Sequence, residues 1–420
     1  MHADGKIAET PERAPRAGYR ELLRNNRDFR NLWLGQVVSE LGDWFTTVAL
    51  FNLLLELTNR AQAVSWLLIL MHLPAVVMGP LAGMLVDRLD RKRLMIVTNL
   101  LRAGLMLCYI LVRRRDQVWL VYVIAASETL LVTLFEPART ASIPNICRKE
   151  ELVAANAISS VTWSVMLTCG AALGGLVTAL FGREVSFAVD SLSFLVSTWL
   201  IRRVAIPPHP KPAAPAAGLR DIADGFRYLH AHPPVLALLL VKTGWCLGGG
   251  LLSVLSVFGQ KIFPVRGSGA AGIGVLFAAR GVGTALGPIL ARRLGGERDS
   301  SMRRAITAGF FLGSVFYVAF GQAQSLPVAW PALLAAHMGG SITWVFSTVL
   351  LQLEVPDALR GRVFALEFAL LTLALALSNY AAGYGLDVLG LDPRLVATCV
   401  GIYFVLPGVA WLAAQRLFRK

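Results

Sequence analysis

The sequence predicts an all-α polytopic membrane protein with twelve transmembrane helices in two six-helix bundles. Three observations lead to this fold class. The 420-residue chain is 55% apolar and only 16% charged, and its mean hydropathy of +0.60 is outside the usual range of soluble globular proteins. It also contains twelve apolar runs of the length, ~20 residues, that crosses ~30 Å of hydrocarbon. These runs must be helical, because a spanning segment has to satisfy its backbone hydrogen bonds internally.

Six predicted spans precede a polar central segment, and six follow it. The first six cover residues 32–57, 63–86, 94–112, 118–136, 153–181 and 184–203, and the last six cover residues 235–262, 268–291, 305–323, 327–353, 363–388 and 395–415. The Pro/Ala-rich segment at 205–234 is predicted to be a cytoplasmic linker. We therefore expect an N-terminal segment at 1–31, one bundle at 32–204 and a second at 235–420.

The net charge of +14 reports orientation in the membrane. Of the 40 lysines and arginines, 29 fall in segments on the side of the N-terminus and 8 on the other side. This is the positive-inside pattern, so we expect both termini to be cytoplasmic and no nucleic-acid partner. The expected location, a bacterial-type inner (cell) membrane, is what the family resemblance described below implies. The five cysteines lack metal-ligand spacing, and no metal or cofactor is predicted.

An internal repeat supports the division into two halves. The stretch "GMLVDRLDRKR" (residues 83–93) follows span 2, and "GPILARRLGGER" (residues 287–298) follows span 8, an offset of 204 residues. The second copy has Ala291 where the first has Asp87. Two parallel repeats joined by an inner loop are typical of transporters whose pathway runs between the halves.

These residues also carry a family resemblance. "GMLVDRLDRKRL" resembles the G-x-L-x-D-R-x-G-R-K signature of the major facilitator superfamily, with Asp90 in place of the second glycine. The stretches "LWLGQVVSELGDWF", "FEPARTASIPNI", "FAVDSLSFLVS", "ADGFRYLHAHPP", "AARGVGTALGP" and "VPDALRGRVFAL" are similar to the branch that contains the enterobactin exporter and the macrolide-efflux proteins. From about residue 28 to the C-terminus, the resemblance implies the major facilitator fold and efflux rather than catalysis.

The resemblance further implies that the loop after span 2 is a gating loop. Gly83 would allow close helix packing, while Asp87, Arg88 and Arg91 would act as a latch when the inner side closes. A solvated positive loop explains the arginines equally well, but it explains Asp87 less well. In span 5, "TCGAALGGLVTALFG" resembles the glycine motif of antiporters, and plain helix packing is the alternative interpretation.

Span 1 carries two acids within an apolar run, "LGQVVSELGDWFTTVALF". Gln36, Glu40, Asp43 and Thr47 recur at helical spacing, which places them on one face. A charge at the bilayer centre costs ~2.5–3.5 kcal/mol on insertion scales, so this face is expected to meet protein or water. An acid that alternates between environments can take up a proton on one side and release it on the other. We predict Glu40 and Asp43 as proton-coupling residues, with Glu128 as a third candidate.

Two basic residues in the second half also lie within spans. Lys242 in span 7 is about as deep as Glu40, so either an ion pair across the halves or a side chain extending to the interface would explain it. Arg280 lies midway along span 8 and needs a buried counter-ion, Glu128 or Asp43, or a water-filled cavity. Structural roles are expected for Arg102, Asp190 and Glu367. The predicted substrate cavity comprises Gln36, Thr47, Trp44, Trp163, Lys242, Trp245 and Arg280.

The sequence thus predicts a secondary transporter that exports amphiphilic small molecules, such as drugs, macrolides or siderophores, by alternating access. Protons, membrane lipid and a small-molecule or lipid-like substrate are its expected partners, and a monomer is expected. The absence of a G-x-x-x-x-G-K-[ST] motif favours an ion gradient as the energy source. A lysophospholipid flippase of the same superfamily and a non-transporting membrane sensor are the alternatives. A membrane enzyme is disfavoured because no nucleophile, base or metal cluster shares one depth.

Overall fold

The computed structural model describes residues 19–207, 226–296 and 298–418. Within these ranges, the backbone but not the side-chain environment is described for Pro80, Leu81, Gly83, Met84, Asp87, Val153, Asp357 and Ala358. The described chain is helical, apart from turns, short connections and one isolated bridge between Val265 and Ser268. The predicted all-α polytopic fold is confirmed.

The spans follow one another in chain order. They are α1 (Arg27–Thr58), α2 (Ala61–Leu70 and Leu73–Arg88), α3 (Arg91–Cys108), α4 (Val118–Ile146), α5 (Leu152–Phe181), α6 (Arg183–Arg202), α7 (Pro233–Cys246 and Leu251–Val257), α8 (Gly269–Gly295), α9 (Asp299–Gln322), α10 (Leu326–Glu354), α11 (Asp357–Asp387) and α12 (Pro393–Tyr403 and Val405–Ala414). Within the described chain, eleven of these helices are long and apolar enough to cross a membrane. The remaining span is α1, which carries the polar line described above.

Local chemistry explains where several helices begin. Asn26 precedes α1 and accepts a hydrogen bond from the Phe29 amide at 2.9 Å. Asp90, which occupies the position of a glycine in the superfamily signature, caps α3 by accepting from the Arg93 amide at 2.7 Å. Short polar side chains at this position satisfy amides that have no partner within the helix. The departure from the signature therefore supplies a helix cap.

The predicted end of span 4 at residue 136 is wrong. Helix α4 continues to Ile146 with Pro137 and Pro144 inside it. A membrane helix tolerates proline when neighbouring helices and polar side chains compensate for the missing hydrogen bond. Ten more residues, including Arg139, consequently lie in the bundle and not in a cytoplasmic loop.

The helices pack in two groups, α1–α6 and α7–α12, with α5 against α8 and α2 against α11 as the main contacts between them. Glycines allow the closest approach. A Cβ atom built on Gly175 of α5 would lie 2.7 Å from the Ala270 carbonyl oxygen and 2.9 Å from the Gly274 Cα of α8. We call the end of the bundle at which α1 begins the N-terminal face, and the other end the opposite face.

Hydrogen bonds that join the two groups lie toward the opposite face. The Asn52 amide donates to Gln260 at 2.9 Å, and the Ser65 hydroxyl donates to Ser253 at 3.0 Å. The Asp387 carboxylate accepts from the backbone amides at the start of α2. The groups are therefore held together at the opposite face, which leaves space between them on the other side of the bundle centre.

Candidate functional site

A cavity of about 670 Å³ lies between the two groups of helices. The first group supplies most of its wall, from α1, α2, α4 and α5, while α7 and α8 contribute Leu252, Phe277 and Arg280. Thr140, Asn156 and Ser160 are exposed and form the rim toward the N-terminal face. The volume is within the ~300–1,000 Å³ that drug-sized ligands occupy.

The polar line of α1 lies along this cavity. Gln36, Glu40, Asp43 and Thr47 all contribute to the wall, in the order in which they follow one another up the helix. The side chain of Asp43 is 34% exposed, so its carboxylate is accessible from the cavity. The polar line of α1 therefore faces the cavity between the two groups.

Arg102 of α3 lies behind Asp43 and connects three helices. Its Nη2 atom is 2.9 Å from Oδ1 of Asp43 on α1 and 3.2 Å from Oε1 of Glu128 on α4. The guanidinium also lies over the Phe194 ring of α6, at 4.0 Å from the ring centre. The Arg102 side chain is only 5% exposed, so this ion pair is shielded from solvent on the side away from the cavity.

A third acid lies close to this cluster. Asp190 of α6 is fully buried and packs against Gly42, the residue before Asp43. The Ser193 hydroxyl donates to its Oδ1 atom at 3.1 Å. Asp43 and Glu128 thus contact one guanidinium, Asp190 adds a third acid close to it, and the guanidinium compensates a single negative charge.

A second network of hydrogen bonds and an ion pair lies at the side of the cavity nearer the N-terminal face. The Gln36 amide donates to Glu40 Oε1 at 2.7 Å and to the Ser159 carbonyl at 3.2 Å, and Gln36 Oε1 accepts from Arg139 at 2.9 Å. Arg139 also pairs with Glu136 at 2.8 Å. The second oxygen of Glu40 is buried without a hydrogen-bond partner among the described residues. One carboxylate oxygen is therefore left for a proton or a ligand.

An aromatic surface and Arg280 form another part of the cavity wall. The Phe277 ring centre is 6.1 Å from that of Trp44 and 5.5 Å from that of Phe51. The Arg280 guanidinium lies 5.7 Å from the Phe277 ring centre. Trp163 contributes a further aromatic face from α5. The cavity therefore combines charged groups with an apolar, aromatic area.

Several predictions about ion pairs are wrong. Lys242 does not pair with Glu40; its Nζ atom lies 3.0 Å from Glu367 of α11, with both side chains 4% exposed. The two counter-ions suggested for Arg280, Asp43 and Glu128, pair with Arg102 instead, and the other alternative holds, because Arg280 lines the cavity. Sequence spacing gives the depth of each charge but not its direction around the helix, and the pairs are decided by that direction.

Two predicted cavity residues and one coupling candidate are not among the residues that line the cavity. Trp245 stacks on Phe404 at 4.3 Å between ring centres, inside the second group, and α7 turns Lys242 toward α11. Glu128 contacts Arg102 at 3.2 Å behind the cavity-lining Asp43. Trp44, Trp163 and Arg280 do line it.

The gating-loop prediction is described only in part. The surroundings of Gly83 and Asp87 lie outside the described residues. Arg88 is exposed at the end of α2. Arg91 is buried, and its Nη1 atom donates to the Ala141 carbonyl of α4 at 2.9 Å. One arginine of the loop therefore connects α3 to α4.

Sequence reasoning missed Glu136 and Arg139 as cavity residues. They follow one another at the i, i+3 spacing in "FEPARTASIPNI"; the predicted span 4 ends at Glu136 and leaves Arg139 outside it. The signal that could have found them is the continued apolar pattern to Ile146 on the far side of the proline.

Two groups of six helices with a polar cavity between them define a membrane transporter of the major facilitator type. The family model described as transmembrane secretion effector, a major facilitator family, matches residues 22–415, and the chain belongs to this family.

Relatives and solved structures agree with this assignment. The chain is 26% identical to an uncharacterized major-facilitator-type transporter of Bacillus subtilis, over 94% of this chain and 95% of the relative. It is 24% identical to macrolide efflux protein A of Streptococcus pyogenes (87% and 90% covered) and 25% identical to the enterobactin exporter of Escherichia coli (81% of each).

Among solved structures, the nucleoside transporter NupG superposes with a TM-score of 0.73 at 12% identity, covering 93% of this chain and 100% of that one. A bacterial homolog of the lysosomal transporter Spinster, in an inward-facing and unoccupied conformation, superposes with a TM-score of 0.69 at 15% identity, covering 94% and 98%. At these identities the likeness establishes the fold. The prediction of a transporter with efflux relatives is confirmed at the level of the family.

Proposed function

We propose that this protein is a proton-coupled exporter of amphiphilic small molecules that works by alternating access. The observation that carries the proposal is the cavity between the two groups, which is lined by both carboxylates and aromatic rings. Carboxylates can bind and release protons, and an aromatic wall binds an apolar body. The names of the macrolide and enterobactin relatives support drugs, macrolides or siderophores as the substrate class.

In this proposal Asp43 carries the coupled proton. It contacts the cavity on one side and Arg102 on the other. Three acids around one guanidinium leave excess negative charge in a low-dielectric site, and a proton on Asp43 reduces that charge. Protonation of Asp43 would also weaken its ion pair with Arg102 and leave Arg102 paired with Glu128 only, which loosens α1 from α3. A proton bound from one side can thus alter helix packing.

Glu40 is proposed as the second proton-binding residue. Its Oε1 atom accepts from Gln36, while its Oε2 atom has no hydrogen-bond partner among the described residues. A buried carboxylate oxygen without a partner is costly, and a proton or a substrate donor would remove that cost. Glu40 lies one helical turn nearer the N-terminal face than Asp43, so both acids border the same water-accessible route.

We assign the N-terminal face to the cytoplasm, which makes the described conformation inward-open. The excess of lysine and arginine on this side supports the assignment. Contacts between the groups at the opposite face then form the closed outer gate. Outward opening would break these contacts and close the cavity rim. The proposed setting is a bacterial inner membrane, with the chain acting as a monomer.

The first experiment is an accumulation assay in cells that lack or overproduce the protein. Erythromycin, enterobactin and lysophosphatidylethanolamine are compared with and without an uncoupler. Overproduction should lower the cellular content of at least one compound, and the uncoupler should abolish the difference. A difference that survives the uncoupler contradicts proton coupling, and a difference confined to the lysolipid favours the flippase alternative.

The second experiment assigns the proton in proteoliposomes with an imposed pH gradient. Asp43→Asn keeps the size and an acceptor for Arg102, and is expected to abolish gradient-driven transport. Glu40→Gln should reduce it. Glu56→Gln removes an acid near the opposite face, paired with Arg183 at 2.9 Å, and serves as the matched control. Full coupling in Asp43→Asn would remove this residue from the mechanism.

A further inference from the structure

Arg280 differs from the other basic residues in the interior of the helices. Arg102, Arg139 and Lys242 each have a carboxylate within 3.2 Å. Among the residues that the structure describes, no carboxylate forms an ion pair with Arg280, and its Nε atom is buried without a hydrogen-bond partner. The residue lies on the cavity wall near the middle of α8. A cationic group is thus held at the cavity without a counter-charge from the protein.

The acids of the cavity have other partners. Glu40 accepts from Gln36, and Asp43 pairs with Arg102. Phe277, one turn away on the same helix, covers part of the Arg280 guanidinium. An arginine that remains charged in such a site is stabilised by an anion, and its planar fork matches carboxylate and phosphate oxygens in pairs. The missing charge is therefore one that a ligand can supply.

Apolar surface adjoins the guanidinium. Phe277 joins it to the rings of Trp44 and Phe51, and Leu252 extends the same wall. A ligand that places an anionic group on Arg280 would lay its next atoms against these rings. The guanidinium and the adjoining rings together fit a ligand that has a charged group at one end and an apolar part next to it.

We propose that Arg280 is the anion-recognition residue of the cavity, and that the transported molecule is an amphiphilic organic anion carrying a carboxylate or phosphate beside an apolar body. This inference rests on the proposed export function and narrows its substrate class. Molecules that carry only a positive charge would bind less well, because they bring no counter-charge to Arg280 and add to the positive charge of that wall.

The test uses two fluorescent probes that differ in one group. The first is 11-(dansylamino)undecanoate and the second is its carboxamide; they share the apolar body and the fluorophore. Binding is measured by fluorescence anisotropy with the full-length protein in phosphatidylcholine nanodiscs. Arg280→Gln removes the positive charge, whereas Arg280→Lys keeps the charge but lacks the planar guanidinium. The matched control is Arg114→Gln, because the Arg114 side chain is 73% exposed on the opposite face.

The wild-type protein should bind the carboxylate probe at least about tenfold more tightly than the carboxamide, because a hydrogen-bonded charge pair contributes that much. Arg280→Gln should bring this ratio close to one, because it weakens binding of the carboxylate probe far more than binding of the carboxamide. Arg280→Lys should retain part of the preference, and Arg114→Gln all of it. A ratio near one in the wild type, or an unchanged ratio in Arg280→Gln, overturns the proposal.

Transport of the carboxamide separates this inference from the proposed function. If the carboxamide is exported with proton coupling but no preference for the carboxylate exists, the export function stands and the role of Arg280 is wrong. If neither probe binds or moves, export of amphiphilic molecules fails, and the anion inference fails with it. An equal loss of affinity for both probes in Arg280→Gln would indicate a structural role and would also overturn the assignment.

Discussion

Arg102 on α3 forms ion pairs with Asp43 on α1, at 2.9 Å, and with Glu128 on α4, at 3.2 Å. One buried guanidinium therefore ties together three helices of the first group. Asp43 is the only one of these three side chains that also lines the cavity, within the part of the chain that the structure describes. Any event that neutralises Asp43 in the cavity is transmitted to helix packing through this contact.

The first prediction concerns Arg102→Gln. Removing the guanidinium leaves Asp43 and Glu128 without a compensating charge, and the free energy of unfolding should fall by about 3–5 kcal/mol. The double variant Arg102→Gln/Asp43→Asn should recover a measurable part of this loss, because one acid is also neutralised. Thermal unfolding in detergent, followed by tryptophan fluorescence, measures both. Arg114→Gln is the control, with an expected change within about 0.5 kcal/mol. Equal losses in the single and double variants would contradict the coupling.

The second prediction separates a structural ion pair from a gate. Lys242 and Glu367 are both buried in the second group, so Lys242→Met should destabilise the protein by about 3–5 kcal/mol. Lys242→Met/Glu367→Met replaces the pair with apolar side chains of similar length and should restore most of the stability. This double variant should also transport at near wild-type rate, measured in proteoliposomes. Loss of transport in a stably folded double variant would show that the pair takes part in the transport cycle.

The fold could be predicted from the sequence because length and apolarity alone decide which segments cross a bilayer. The polar line of α1 was equally accessible, since it depends only on spacing within one helix. The ion pairs could not be predicted in this way, because Lys242 and Glu40 lie at matching depths but face different helices. Glu136 and Arg139 were missed for another reason. Pro137 follows the predicted end of the span, and proline normally ends helices in water, whereas in the structure α4 continues through it to Ile146.

The third prediction tests the close packing of α5 on α8. Gly175→Ala would place a methyl group 2.7 Å from a backbone oxygen and 2.9 Å from the Gly274 Cα, neither of which can move without shifting α8. We expect the two groups to separate at this contact and the transport rate to fall at least about tenfold, with lower thermal stability. Gly104→Ala on α3 is the matched control, because nothing lies within 4 Å of its added methyl group. Equal behaviour of the two variants would argue against this contact as a packing constraint.

The fourth prediction concerns Cys147, which follows α4 outside the membrane-spanning segment. Burial, with a smaller contribution from the Glu151 carboxylate, raises the pKa of the Cys147 thiol to about 12. The folded thiol therefore stays protonated while the unfolded thiol ionises near pH 9, so its contribution to stability is present below pH 9 and is lost as the pH rises toward 12.

At pH 8 a variant with Cys147 as its only cysteine should react with N-ethylmaleimide at least about tenfold more slowly than a free thiol, because the thiolate is the reactive form. The rate should increase with each further pH unit. Glu151→Gln, which removes the neighbouring negative charge, should speed the reaction modestly. A rate equal to that of free cysteine at pH 8 would contradict the burial of this thiol.

The fifth prediction tests the closure of the opposite face by Asp387. Its two carboxylate oxygens accept from the Ala61 amide at 3.0 Å and from the Gln62 amide at 2.6 Å, so a residue of α11 caps the first helix segment of α2. An acidic cap contributes about 1 kcal/mol, because it satisfies free amides and offsets the partial positive charge of the helix start. Asp387→Ala removes this contribution only from the closed state of the opposite face.

The population with an open opposite face should therefore rise about fivefold, since about 1 kcal/mol changes a two-state ratio by that factor. The distance between the two groups on this face is measured by pulsed electron paramagnetic resonance, with spin labels at residues 114 and 324. These residues lie in loops of different groups. Asp392→Ala is the matched control, because Asp392 caps α12 through the Arg394 amide at 2.6 Å and touches one group only. A distance distribution that changes equally in both variants would mean that Asp387 stabilises its own helix and not the contact between the groups.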